Sequence, residues 1–259
     1  MYRHPDSKAA DEANEYLKNA LTLGEQMLRS GSEASRVEDS IRRICLAYGA
    51  ERVDVLTITA SIVVTISGER FGVVTQTRRV TRIRFDLQRL ELLNQLSRRM
   101  VEEKLSGQQV ERELERIDRA PSYTFLQQIF IYMLVSSSFA IFFGGDGWDA
   151  LASALIGVVL KFADAGVKWL EVNGFVGTLL CSVLGGLLAY LLVDWGLGSS
   201  VEMISIGNIM LLIPGVMLTN SIRELFSGDT ISGLLRFMEA LLLTVMIALG
   251  FVAASLIGG

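Results

Sequence analysis

The chain has 259 residues, 51% of them hydrophobic, 20% charged and a net charge of −4. Residues 1–120 carry 20 Lys and Arg against 19 Asp and Glu, whereas residues 121–259 carry 4 against 9, so the halves are +1 and −5. This excludes a disordered, collagenous or disulfide-stapled chain, and an ordinary water-soluble one, and it predicts a polar domain joined to a membrane domain.

The N-terminal segment Met1–Glu15 is polar and has no short apolar core, so no secretory signal peptide is expected there. His4, the chain's one histidine, lies in it, which argues against histidine-based catalysis and against a zinc site. Ala13, Leu17, Leu21, Gly24 and Leu28 recur at helical spacing and predict an amphipathic helix over 9–29, stopped at Gly31. Ser35 and Glu38 have the spacing of a capping box for a second helix that presents Val37, Ile41, Ile44 and Tyr48 and ends near Gly49. From Arg52 the period becomes two, predicting strands at Val53–Thr59, Ile62–Ile66 and Phe71–Thr75, with a turn at Ser67–Gly68. Arg78, Arg79, Arg82 and Arg84 form a basic run, read either as an anion-binding surface or as a solvated edge near lipid headgroups. Two further helices are expected, one with Leu87, Leu90, Leu93, Leu96 and Met100, the other with Val110, Leu114 and Ile117. Residues 1–120 thus read as a small α+β cytoplasmic domain. Cys45 and Cys181 fall in different halves and read as small apolar fillers, neither in a disulfide nor in a metal site.

A bilayer-spanning helix takes about 20 largely apolar residues. Uncharged runs of that size are Ala120–Gly145, Val172–Val193, Met203–Ile222 and Ala240–Gly259, and Ala150–Val167 is apolar except for Lys161 and Asp164. Residues 121–259 are therefore expected to form an all-α transmembrane bundle of about five helices, with spans near 122–143, 149–168, 173–193, 203–222 and 236–257. The alternative has four spans, with 149–168 re-entrant, because charges inside a bilayer are costly. Arg112, Arg116 and Arg119 before the first span, Lys168 in the second loop, and Arg223 with Arg236 in the fourth mark cytoplasmic connections. The acidic loops Gly144–Asp149 and Asp194–Glu202 mark outside ones. The expected arrangement is multi-pass, with the N-terminus cytoplasmic and the C-terminus outside.

Ionisable and irregular positions inside the spans are the candidate sites. Pro214–Gly215 lies in the fourth span, where lost helical hydrogen bonds can expose backbone to a substrate's charge, or simply kink a packed helix. Thr219 and Asn220 follow about a turn later and Arg223 closes the segment. These, with Lys161, are the candidate substrate-binding residues. Lys161 and Asp164 share a helix face and read either as a substrate or proton site or as a helix end at the cytoplasmic interface. Asp164 and Glu239 are the candidate proton-coupling carboxylates, although Glu239 might equally balance Arg236 one turn away. The glycines spread through the spans read mainly as close-packing positions. No catalytic constellation, metal set or Gly-rich phosphate loop is present, so neither an enzyme nor a cofactor is expected.

The segments GSEASRVEDSIRRICLAYG, ITASIVVTISG, FDLQRLELLNQLSRR, GGDGWDALASALIG and LLIPGVMLTNSIRELFSGDTISGLLR, in that order, resemble the bacterial threonine/serine exporter (ThrE-like) family. The resemblance implies an inner-membrane exporter of threonine, serine or, in the split form, a dicarboxylate such as succinate. Full-length members carry about ten spans, so this chain resembles the split YjjP-type subunit. A smaller multi-span YjjB-like membrane partner is then implied, and self-association into a homo-oligomer is a further possibility. No nucleic-acid partner is expected. The alternative function is a membrane-anchored sensor or regulatory protein whose cytoplasmic domain binds a ligand.

Overall fold

The computed structural model describes residues 7–81, 85–121 and 123–259. His4, Arg82 and Arg84 lie outside the described residues. The described chain is mostly helical, with one three-stranded sheet near the N-terminus and the apolar helices toward the C-terminus. Its contacts group into two units. The first comprises Met1–Pro121 with Val216–Phe237, the second Ser122–Gly215 with Met238–Gly259.

In the first unit, α1 (Ser7–Arg29) and α2 (Ala34–Ala47) precede β1 (Arg52–Ile58), β2 (Ser61–Gly68) and β3 (Gly72–Arg79). The strands form an antiparallel meander in the order β1-β2-β3, with Val55 opposite Val64 and Thr65 opposite Thr75. The expected alternation is realised in β2, where Ile62, Val64 and Ile66 are buried. They join Leu17, Leu21 and Leu28 of α1 and Ile41 and Ile44 of α2 in one core. Helices α3 (Leu87–Glu103) and α4 (Gly107–Asp118) complete it with Leu93, Met100 and Val110. Gly31 ends the α1 turn at φ +93°, and a side chain there would run into the Phe85 ring. Only glycine takes that backbone without strain.

The expected capping box of α2 does not form. The helix begins at Ala34, with Glu33 at its N-cap and no side-chain cap bond. Glu38 instead accepts a hydrogen bond from the Thr57 amide of β1 at 2.7 Å. Burial is the main cause raising the Glu38 carboxyl above its usual range, opposed by that amide and reinforced by nearby Asp229. A tertiary demand on Glu38 has overridden its local one.

The second unit contains α5 (Phe125–Phe142), α6 (Gly147–Trp169), α7 (Gly174–Asp194), α8 (Val201–Leu212) and the larger part of α10 (Thr230–Gly258). Large apolar side chains such as Leu126, Phe130, Leu180, Leu242 and Leu249 are exposed, as expected of surfaces meant for lipid rather than water. Four helices, α5, α6, α7 and α10, are long and apolar enough to cross a membrane. A fifth span exists if α8 and α9 (Gly215–Phe226) count as one broken helix. Helix α6 runs unbroken for 23 residues, so the irregularity lies in the fourth expected span rather than the second. Ile213 takes the extended backbone (ψ 128°) that a following proline favours, and α8 stops there.

Glycines set the closest approaches in this unit. A methyl group on Gly207 would come within 2.6 Å of the Ser153 hydroxyl and closer still to the Ser136 carbonyl. One on Gly157 would lie 2.7 Å from the Ser136 hydroxyl. Gly186 and Gly250 do the same between α7 and α10, against Ala254 and Ser182. Small residues are what allow helices to pack where no hydrophobic effect drives them together.

The Gly-Trp-Asp loop proves to be a clamp. Asp146 caps α6 by accepting from the Trp148 and Asp149 amides, each at 2.8 Å, and from the Ser199 hydroxyl at 2.7 Å. Buried Asp149 accepts from the Ser199 and Ser200 amides at 2.6 and 2.9 Å, tying the start of α8 to the start of α6. The Asp149 amide, then the Ser199 hydroxyl, hold the Asp146 carboxyl below its usual range. Stability from a depressed carboxyl is present above its unfolded-state value and is lost as pH falls through the folded one. The detergent-solubilised protein should therefore lose thermal stability below about pH 4, and Asp146→Asn should flatten that part of the profile. Asp149→Ala, which strands the amides of Asp146, Ser199 and Ser200, should cost about 2–3 kcal/mol, read as a lowered unfolding midpoint at neutral pH.

Candidate functional site

Three polar clusters stand out, one in the first unit and two in the second. In the first unit, α9 turns into α10 through Ser227–Asp229 and packs tightly, with Gly233 against Leu225 and the Ser221 carbonyl. This corner is fastened to the α1–α2 turn. Glu224, 1% exposed, accepts from the Ala34 amide at 3.0 Å and pairs with Arg236, 2% exposed, at 3.3 Å. Arg236 also donates to the Ser32 carbonyl at 2.8 Å. One turn earlier on α10, Ser232 reaches the Thr57 carbonyl at 3.5 Å. The α2 amide that local sequence leaves uncapped is thus capped by a carboxylate 190 residues away. A carboxylate at a helix N-terminus also meets the positive end of the helix dipole.

The candidate residues Asn220 and Arg223 belong to this corner. Asn220 donates to the Gly31 carbonyl at 3.4 Å and Arg223 pairs with Glu33 at 2.6 Å. Thr219 lies on the same helix, and Pro214 and Gly215 form the break at its start. Space is open around the Gly215 Cα, and its amide donates to the Ile213 carbonyl at 2.9 Å. Four buried oxygens in this region, on Ser32, Thr57, Glu224 and Asp229, have no hydrogen-bond partner among the described residues. Glu224 Oε2 and Asp229 Oδ2 are the two that a proton would convert from unsatisfied acceptors into donors.

In the second unit Lys161 is 6% exposed. Its ammonium lies 5.2 Å from the Tyr132 ring centre and 5.7 Å from that of Phe125, both on α5. Asp164 is 3.6 Å from Lys161 and 2.6 Å from Lys168, so one carboxylate serves two cations. Aromatic faces and a shared counter-ion are what keep a buried ammonium charged. Glu239 is exposed on α10, and its expected partner Arg236 pairs with Glu224 instead. The candidate residues therefore fall into two sets, Lys161 with Asp164 in one unit and Asn220 with Arg223 in the other.

The third cluster was not foreseen. Asn208, 0% exposed, donates to the Ser153 hydroxyl at 3.2 Å and to the Ile204 carbonyl at 2.8 Å. Ser153 in turn donates to the Ser136 carbonyl at 3.0 Å, which links α5, α6 and α8 by polar bonds inside an apolar bundle. The Asn208 side-chain oxygen has no partner among the described residues. A sequence signal existed for this cluster, since an asparagine, like any polar residue in a span, is expensive unless bonded. For Glu224 the signal was weaker, because the charged stretch Arg223–Asp229 reads as an ordinary loop.

Comparison with known proteins gives these clusters a context. Residues 18–257 match the family model for threonine/serine exporters, and the chain belongs to that family. It is 26% identical over 244 residues to the threonine/serine exporter of Corynebacterium glutamicum, a match covering 89% of this chain and 49% of that protein. The chain thus spans about half the length of that curated relative. No solved structure matches. A multi-pass membrane exporter family, rather than an enzyme family, is the setting in which the clusters act.

Breaking a buried ion pair by removing one partner costs about 3–5 kcal/mol, whereas replacing both by apolar groups of similar size is often tolerated. Glu224→Ala and Arg236→Ala should each lower the unfolding midpoint in detergent strongly. The paired replacement Glu224→Leu with Arg236→Met should recover a large part of the loss. Equal loss in the double variant would show that the pair is not the unit of stabilisation.

Proposed function

We propose that this chain is one subunit of a two-component secondary exporter that moves small carboxylates out of a bacterial cell across the inner membrane. The cargo is threonine or serine, or a dicarboxylate such as succinate. The observation that carries the reading is the family match over residues 18–257 in a chain with four or five apolar helices. A second component is what the resemblance to the split form implies. The remaining spans would come from a smaller multi-span partner, and self-association would complete the assembly.

In this reading the N-terminus is cytoplasmic and the C-terminus outside, following the basic residues at the ends of the spans. Cargo loads from the cytoplasmic side; Lys161 in the second unit, and Arg223 with the first-turn amides of α9 in the first, are each proposed to offer positive charge to a carboxylate. Thr219 and Asn220 supply further polar contacts. Asp164, already shared between two cations, and Glu239 are the carboxylates proposed to carry the coupling proton.

Vesicles containing this chain and a co-expressed five-span partner should export radiolabelled threonine, serine or succinate down an imposed proton gradient. Vesicles with this chain alone should not. Lys161→Ala and Asn220→Ala should each lower the initial rate at least tenfold while membrane insertion stays normal. Equal flux without the partner would overturn the two-component reading, and full flux by both variants would remove those residues from the path.

A further inference from the structure

The first unit contains a cleft of about 370 Å³, lined by α1, the β2–β3 turn and the α3–α4 turn. That volume lies near the lower end of small-molecule sites and suits a ligand of amino-acid size rather than a nucleotide. Its wall and its charges both call for such a ligand.

The wall is aromatic and partly unsatisfied. Tyr16 packs against Tyr48 at 5.8 Å between ring centres and edge-on against Phe71 at 6.4 Å. Tyr48 is anchored, donating its hydroxyl to the Leu105 carbonyl at 2.6 Å. The Tyr16 hydroxyl is buried and has no partner among the described residues. Leaving a buried hydroxyl unbonded costs about 1–3 kcal/mol, so a ligand that bonded it would recover that cost. Burial also pushes its pKa up to about 12, so it stays a neutral donor and acceptor. Beside it Asn19, 8% exposed, faces the N-terminus of α4, where a methyl group on Gly107 would come within 3.0 Å of its amide nitrogen. The Glu15 carboxylate crowds the same glycine. Gly107 therefore keeps the floor of the cleft open to both side chains.

The charges are opposed and kept apart. Glu12 and Glu15 on α1 line the cleft, as do Arg70 of the β2–β3 turn and Lys104. None of the four is in an ion pair among the described residues, although all border one cleft of this size. Lys104 is held in the left-handed backbone region at φ 51°. That is the left-handed cap that ends α3, and it brings Lys104 to the lining of the cleft. An acidic pole beside aromatic faces suits an ammonium group. Arg70 and Lys104 on the same lining suit a carboxylate, while Glu51, which also lines the cleft, accepts from the Glu69 amide at 3.0 Å.

We propose that this cleft is a binding site for a small zwitterion, an α-amino acid, with its ammonium at Glu12, Glu15 and the Tyr16 ring and its carboxylate at Arg70 and Lys104. It lies wholly within the first unit and does not depend on the transport reading. Binding here would let the protein sense an amino acid in the compartment that holds this unit.

The test is calorimetric titration of the full chain in detergent with L-serine, using putrescine as a cation-only probe and succinate as an anion-only probe. L-Serine should bind saturably, one per chain, and the two control probes should bind at least tenfold more weakly. Glu15→Gln should weaken L-serine binding about tenfold. Tyr16→Phe removes only an unpaired hydroxyl, so it should leave the unfolding midpoint of the free protein unchanged or higher while weakening binding about fivefold. Arg43→Ala, at an exposed pair with Asp39 outside the cleft, should leave this affinity unchanged. The proposal is overturned by absence of saturable L-serine binding, by binding indifferent to both cleft variants, or by tighter binding of either single-charge probe. Loss of transport on Asn220→Ala with serine binding intact would separate this site from the export path.

Discussion

A carboxylate and a guanidinium taken out of water together must find their hydrogen bonds in protein, and Glu224 and Arg236 find the ones they make at the turn between α1 and α2. The idealised desolvation of such ions is tens of kcal/mol, and only close pairing plus further hydrogen bonds offsets it. Here the offsets are the 3.3 Å pair itself, the Ala34 amide and the Ser32 carbonyl. Each partner also meets a need of the α1–α2 turn, since the first turn of α2 presents an amide with no local acceptor. The corner and the turn therefore stabilise one another, and Arg223 with Glu33 and Ser232 with Thr57 extend the same seam.

The second unit solves a different problem. Its helices are apolar almost all round, so water gives them little reason to prefer one neighbour over another. Specificity comes instead from where side chains are absent and where polar groups must be bonded. Gly157 and Gly207 bring α6 and α8 close to α5, and the Asn208–Ser153–Ser136 relay holds the register that this contact allows. Lys161 fits the same logic, because its ammonium is tolerable only against the Tyr132 and Phe125 faces with Asp164 beside it. Moving any of these helices along its neighbour would strand a polar group in an apolar surround.

Much of this was legible from local pattern. The helix expected over 9–29 is found at Ser7–Arg29, the strands keep their two-residue alternation through β2, and the apolar runs of the second half are helices. Periodicity reports which face is buried, and that was enough for the elements; the family was legible only from the resemblance of whole segments such as LLIPGVMLTNSIRELFSGDTISGLLR. The remainder depended on partners far along the chain. Ser35 and Glu38 have the right spacing for a local cap, yet Thr57 takes Glu38 and Glu224 serves Ala34. The acidic loops at 146–149 and 194–202 read as topology markers, whereas Asp146 and Asp149 are hydrogen-bond acceptors that clamp one helix start to another. Among the candidate site residues, the Lys161–Asp164 pairing followed from helical spacing. The engagement of Asn220 and Arg223 with residues 31–33 did not, because nothing in a sequence window relates positions so distant.

The same network changes which residues belong with the N-terminal domain. The expected spans 203–222 and 236–257 leave only residues 223–235 as a loop between them, whereas the contacts group all of Val216–Phe237 with the first unit. Pro214 lets the chain leave the α8 helix, and the charged corner that follows is satisfied within the first unit instead. Without Val216–Phe237, that unit would lose the acceptor at the start of α2, the donor to Ser32 and the partner of Glu33. Residues 1–121 are therefore incomplete on their own, for a reason of hydrogen bonding rather than of hydrophobic area. The chain passes from one unit to the other at 121–122, 215–216 and 237–238. Any rearrangement of the break at Pro214 must then be accommodated by a segment already committed to the fold of the α1–α2 turn.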